Sequence, residues 1–116
     1  MTDELRETGE LIEIYRAVGD TEYGVVMKNK KFTLDKKGVD IKYFGLDLNE
    51  TIKFANKAFN RHVVAVLGIV VTKSILNKTG DFTNVDKTIF KSGTVEIHAD
   101  DLREFNDAIL TVIHKY

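Results

Sequence analysis

The sequence predicts an α+β fold in a single domain: an antiparallel, partly rolled sheet with a central helix and a C-terminal amphipathic helix packed on it. Three observations carry this. Residues 31–43 and 94–99 alternate apolar with polar side chains, the period of a half-buried strand. The run Val63–Val71 is apolar apart from Gly68 and holds five valines, a β-branched composition that suits a strand buried on both faces. Leu102, Phe105, Ile109, Val112 and Tyr116 recur at i, i+3, i+7, i+10 and i+14, one face of a helix. At 116 residues the chain has room for one core. Residues 1–116 therefore read as one domain, with 1–10 as a frayed arm.

Taken in order, Leu11–Val18 reads as a strand, with Ile12 and Ile14 alternating with Glu13 and Gly19-Asp20 turning it; the rival is a helix with Leu11, Ile12, Tyr15 and Val18 on its apolar stripe. Tyr23–Met27 reads as a second strand on the strength of Val25 and Val26. Lys31–Asp35 and Val39–Tyr43 read as a hairpin closed by Asp35-Lys36-Lys37-Gly38: Asp opens a type I turn and Gly takes the positive φ that ends it. That register points Phe32, Leu34, Val39, Ile41 and Tyr43 inward, and Lys31 and Lys42 to solvent. Asn49 reads as the cap of a helix over 50–60, with Glu50 at the positive end of its dipole and Ile52, Ala55 and Phe59 on its apolar face. Val63–Val71 reads as a buried strand; the rival is a buried helix running to Asn77 and stopped by Gly80. Asp81–Asn84 reads as loop, Lys87–Phe90 as a short strand turned by Lys91-Ser92-Gly93, and Thr94–Ala99 as a strand with Val95, Ile97 and Ala99 inside. The last helix reads from Asp101, with Glu104 completing a capping box, to Tyr116. In element order, a rolled sheet closed by a final helix resembles pleckstrin-homology-like modules; no motif carries that likeness beyond the order.

Composition excludes several chemistries. Without cysteine there is no disulfide framework, thiolate zinc site or cysteine nucleophile. Ser74 and Ser92 lie in no Gly-x-Ser-x-Gly motif, and the glycines form no phosphate-binding loop. His62, His98 and His114 have no metal-ligand spacing, so no cofactor or metal is expected. The longest apolar run is too short to cross a bilayer, which needs roughly 20 helical residues. The N-terminal residues are acidic and polar, unlike a signal peptide. A cytoplasmic location is the expectation.

Charge is unevenly placed on a chain of net charge −1. Residues 1–22 carry seven acids against Arg6 and Arg16; residues 23–45 carry six lysines against Asp35 and Asp40. Lys30, Lys31, Lys36, Lys37 and Lys42 are therefore the leading candidates for a surface that meets an anion or an acidic partner, unless the acidic start neutralises them or they simply guard a sheet edge. Arg61 and His62, at a helix-to-strand junction, are weaker candidates for a phosphate or carboxylate. Glu96 and His98 share one strand face about 7 Å apart, at roughly 3.3 Å per residue, a conceivable acid–base pair or an ordinary exposed face. Nucleic acid is disfavoured, since no aromatic side chain is interleaved with the lysines.

These exclusions lead to an expected function: a small non-catalytic binding or regulatory module acting through a protein partner, a class that includes phage and mobile-element accessory proteins, with homo-oligomers plausible. Two alternatives stand beside it. One is an anionic-ligand or phospholipid-headgroup module using the basic hairpin, with peripheral membrane contact. The other is a small enzyme or small-ligand sensor.

Overall fold

In the computed structural model, which describes residues 10–33, 41–58, 63–84 and 86–116, the two most β-prone stretches of the chain pair with each other. β1 (Leu11–Gly19) and β3 (Val63–Thr72) run antiparallel over nine register pairs, from Leu11 opposite Thr72 to Gly19 opposite Val63. β2 (Lys42–Gly45), β4 (Gly80–Thr83), β5 (Thr94–Ile97) and β6 (Thr111–His114) complete an open sheet in the order β4-β5-β2-β1-β3-β6, with every neighbouring pair antiparallel. The helices are α1 (Asp20–Asn29), α2 (Leu48–Ala58), α3 (Lys73–Thr79) and α4 (Ala99–Asp107). The described residues thus form an α+β single domain, with α4 as the C-terminal helix packed on a six-stranded sheet. No described helix is long and apolar enough to cross a membrane.

Period-2 alternation divides the sheet into two unlike faces. Ile14, Val18, Ala65, Leu67, Ile69, Val71, Val95 and Ile97 point to one side. There they meet Val26 of α1, Leu76 of α3, Leu102 and Phe105 of α4, and Phe32. Phe44 sits between Phe32 and Phe105, with ring centroids 5.3 and 5.4 Å away. The opposite face carries Tyr15, Ala17, Gly45 and Val66, and α2 lies across it. Gly45 permits that approach: a Cβ there would collide with Thr51 Oγ1 and lie 3.0 Å from the Phe90 ring.

Several local expectations are overturned. Tyr23–Met27 is helical, not extended. Asp20 and Glu22 in its first turn and Lys28 in its last suit the helix dipole, and seating Val26 in the core outweighs the β preference of two valines, worth only tenths of a kcal/mol each. Lys30 ends α1 in the left-handed region, φ 57°, its N–H bonded to Val26 O at 2.7 Å. In the expected hairpin the turn lies outside the described residues, and Lys31–Thr33 is not a strand. The backbone of Phe32 bonds instead to the Asn106 amide, Phe32 N to Oδ1 and Nδ2 to Phe32 O, each at 2.8 Å. β2 pairs with β5 and β1, in the opposite facing to that expected: Lys42 and Phe44 are buried and Tyr43 is exposed. A one-residue change of facing inverts every side chain of a strand, and Phe44, which has no hydroxyl to satisfy, goes inward in place of Tyr43.

The cap of α2 is Asp47, not Asn49; its Oδ2 accepts the Glu50 N–H at 3.0 Å. Both readings of 63–77 hold for part of the segment. β3 ends at Thr72, whose Oγ1 accepts from Ile75 N and starts α3, and Gly80 stops that helix as expected. Asp81–Asn84 is mostly strand, β4. Lys87–Phe90 is a turn, because Asp86 Oδ1 takes the N–H groups of Thr88 and Ile89 at 3.0 and 3.2 Å. The turn at Gly93 forms as expected, φ +93°. The last helix begins at Ala99, placing Asp101 inside it rather than at its cap, and ends at Asp107. Thr111-Val112-Ile113 then become an edge strand, which satisfies the outer backbone groups of β3.

Candidate functional site

β1 is paired with β3 along its whole length but with β2 at one position, Tyr15 opposite Gly45. Beyond that point the two strands part, and Arg16 fills the breach. Its Nη1 donates to Tyr43 O at 3.1 Å, taking a carbonyl that a continued ladder would have used. Its Nε and Nη2 donate to the two carboxylate oxygens of Glu22 on α1, at 2.6 and 3.2 Å. Both side chains are largely shielded, 18 and 24% exposed, so this forked, charge-assisted pair fixes α1 against the sheet.

The parted seam opens into a cleft of about 580 Å³. Tyr15, Ala17 and Gly45 form its floor, with Arg16, Glu22 and Tyr43 on its rim. Thr51 and Phe54 of α2 make one wall; Asp86 and Phe90 of the loop before β5 make another, with the Phe54 and Phe90 rings 5.0 Å apart. That loop is held down by α2, since Ser92 N and Oγ both donate to the Glu50 carboxylate.

Several polar groups of the cleft are engaged. Tyr15 OH donates to Glu13 Oε1 at 2.8 Å. Burial, then that hydrogen bond and the charges of Glu13 and Asp47, push the Tyr15 phenol up to about 12, so it remains protonated. Thr51 Oγ1 donates to Asp47 O, and the Thr94 and Thr83 hydroxyls bond to each other. Among the described residues no histidine, lysine or serine lines the cleft. The arrangement can hold an uncharged group.

The described residues singled out from sequence do not line this cleft. Lys36, Lys37, Arg61 and His62 are outside the described residues. Lys30 is exposed at the end of α1. Lys31 is 3.4 Å from Asp107 in an exposed ion pair. Lys42 is 7% exposed, on the core side of β2 rather than in solvent with Lys31. Glu96 and His98 do come together, with His98 Nε2 3.9 Å from Glu96 Oε1 and 3.4 Å from Asp81 Oδ2. Among the described residues no group of three such side chains could hold a metal ion. His114 is in β6, not in a helix, and its Nδ1 shares a hydrogen bond with Tyr23 OH at 3.0 Å. The cleft itself was missed. Its one sequence signal is Arg16 amid the apolar residues of a strand, with Glu22 six residues on at the start of the next element.

Comparison with protein-family models, with curated proteins and with solved structures gives no match. The site is therefore read from its own chemistry.

Proposed function

We propose that this chain is a small non-catalytic binding module acting through a protein partner, which places an apolar or aromatic side chain in the cleft between β1 and β2. The observation that carries this reading is the aromatic lining of the cleft, in which the two rim charges, Arg16 and Glu22, are spent on each other. Such a site gains from burying apolar surface, about 25 cal/mol per Å². Three of the five Arg16 N–H groups are engaged. The other two are suited to a backbone carbonyl beside the incoming side chain. The reading of the lysines as an anion site has less support, because Lys42 is buried and Lys31 faces Asp107.

The test is an amide-resolved NMR titration with the N-acetyl amides of Phe, Tyr, Trp, Leu and Lys at millimolar concentration. The aromatic and leucine probes are expected to shift the amides of Tyr15, Gly45, Thr51 and Phe90, with Lys amide inert. An Ala17→Leu variant, which fills the floor, is expected to lose the response while staying folded. Equal responses to all probes, or none at the cleft, would overturn the reading.

A further inference from the structure

Among the described residues the sheet ends on two unlike edges. β4 begins at Gly80, whose N–H is already committed to Leu76 O, and carries the charge of Asp81. Charge is a usual protection of an edge strand. β6 has neither an acid nor a proline. From Leu110 to His114 its side chains are Leu, Thr, Val, Ile and His. Leu110, Ile113 and Tyr116 are 53, 39 and 54% exposed.

Which backbone groups of β6 are open follows from the ladder. Residues 111 and 113 pair with Val70 and Gly68, and Lys115 N donates to Val66 O at 2.9 Å. Alternate residues of an antiparallel pair bond to the same neighbour. Thr111, Ile113 and Lys115 therefore face β3, and the N–H and C=O of Val112 and His114 face outward. Leu110 is not available on that side, because its N–H is turned back to Val70 O at 2.9 Å.

We propose that this edge pairs with the β6 edge of a second copy of the chain, antiparallel, about a two-fold axis at Ile113. The position of the axis follows from the open groups. Centred on Ile113, Val112 of one copy meets His114 of the other and His114 meets Val112, so all four open groups on each chain are used. Centred on Val112, the partner for His114 would be Leu110, whose N–H is committed inward. The chosen axis also places Ile113 against Ile113, and Leu110 against Tyr116, bringing exposed apolar side chains together. Lys115 falls opposite Thr111, so no like charges meet. The same side chains answer one another, which is the self-complementarity a two-fold interface requires and which an unrelated strand would have to supply by chance. An edge this short buries less than the roughly 1,200 Å² of a standard stable interface, so the association is concentration-dependent.

The experiment uses wild type and single-cysteine variants, since the chain has no cysteine. Sedimentation velocity from about 1 µM to about 1 mM is expected to pass from monomer to dimer. A residue on the axis sits about 4.5 Å, Cα to Cα, from its mate in a non-hydrogen-bonded pair, within the disulfide range of about 4.4–6.8 Å. Ile113→Cys is expected to oxidise to a covalent dimer at least ten times faster than Tyr43→Cys, an exposed position in the middle of the sheet. A wild type that is monomeric throughout overturns the proposal and leaves the edge for another chain's strand. A wild type that dimerises while the two cysteine variants oxidise at equal rates also overturns it, because the interface then lies on another surface.

Discussion

β1 has two sides, and they are built differently. Toward β3 it forms eight consecutive register pairs and, past a shift at Val18/Gly19, a ninth; toward β2 it forms one, then gives way to an arginine. The first side is closed because Ile14, Val18, Leu67 and Ile69 are fully buried on a continuous face. The second is open because Arg16 stands opposite Phe44 and cannot enter the core without a counter-charge. Its guanidinium turns to Glu22 and to a strand carbonyl, and the space this leaves is the cleft. Where the ladder continues the molecule is a scaffold; where a side chain replaces the ladder, a site appears.

Substitutions on the two sides should separate these roles. Ile69→Asp, on the closed side, is expected to cost about 4 kcal/mol or more, since it buries a carboxylate with no partner. Denaturant titration should find little folded protein, and a variant retaining wild-type stability would contradict the assignment of the core face. On the open side Gly45→Val is expected to cost about 1–3 kcal/mol through overpacking against Thr51 and Phe90, read as a lower urea midpoint with an unchanged m-value. Arg16→Met is expected to cost about 1–2 kcal/mol, because Glu22 and Tyr43 O lose their donor. A double-mutant cycle with Glu22→Gln should return a coupling of about 1 kcal/mol; no coupling would mean that the pair does not hold α1 to the sheet.

The smallest effects concern protons and the surface. The Tyr15 phenol, raised from 10.0 to about 12 by burial first and by Glu13 second, makes the folded state hold a proton that the unfolded chain releases. Its contribution to stability is therefore complete below pH 10 and is lost as pH rises from 10 to about 12. Phenolate absorbance, as the difference between wild type and Tyr15→Phe, should show this late titration. Glu13→Gln should bring it only part of the way back, because burial remains. Lys31→Ala should change stability by less than about 0.5 kcal/mol, since its pair with Asp107 is exposed.

Much of the scaffold was legible in the residues themselves. β5 and α2 are strong local patterns, β1 and β3 are each the preferred one of two readings, and the structure keeps each within a few residues of its expected bounds. The failures have a common cause. Val25-Val26 and Thr111-Val112-Ile113 each fit two periodicities, and in both cases the available neighbour decided: a core position for Val26, an unpaired edge of β3 for residues 111–114. Lys42 and Tyr43 were exchanged because alternation specifies that faces alternate but not which one is inward.

Amino-acid order alone determined the class, the central β1 and β3 strands, and the absence of cysteine chemistry, because these depend on composition and on short-range period. Only the tertiary structure decided which strands are neighbours, which edge is left open, and that Arg16, Glu22, Tyr15 and Phe90 border one cleft. Phe90 lies 75 positions from Tyr15, and no local interaction links it to the other three. They meet because β2 is inserted between β5 and β1, a pairing set by the free energy of burying both sheet faces at once.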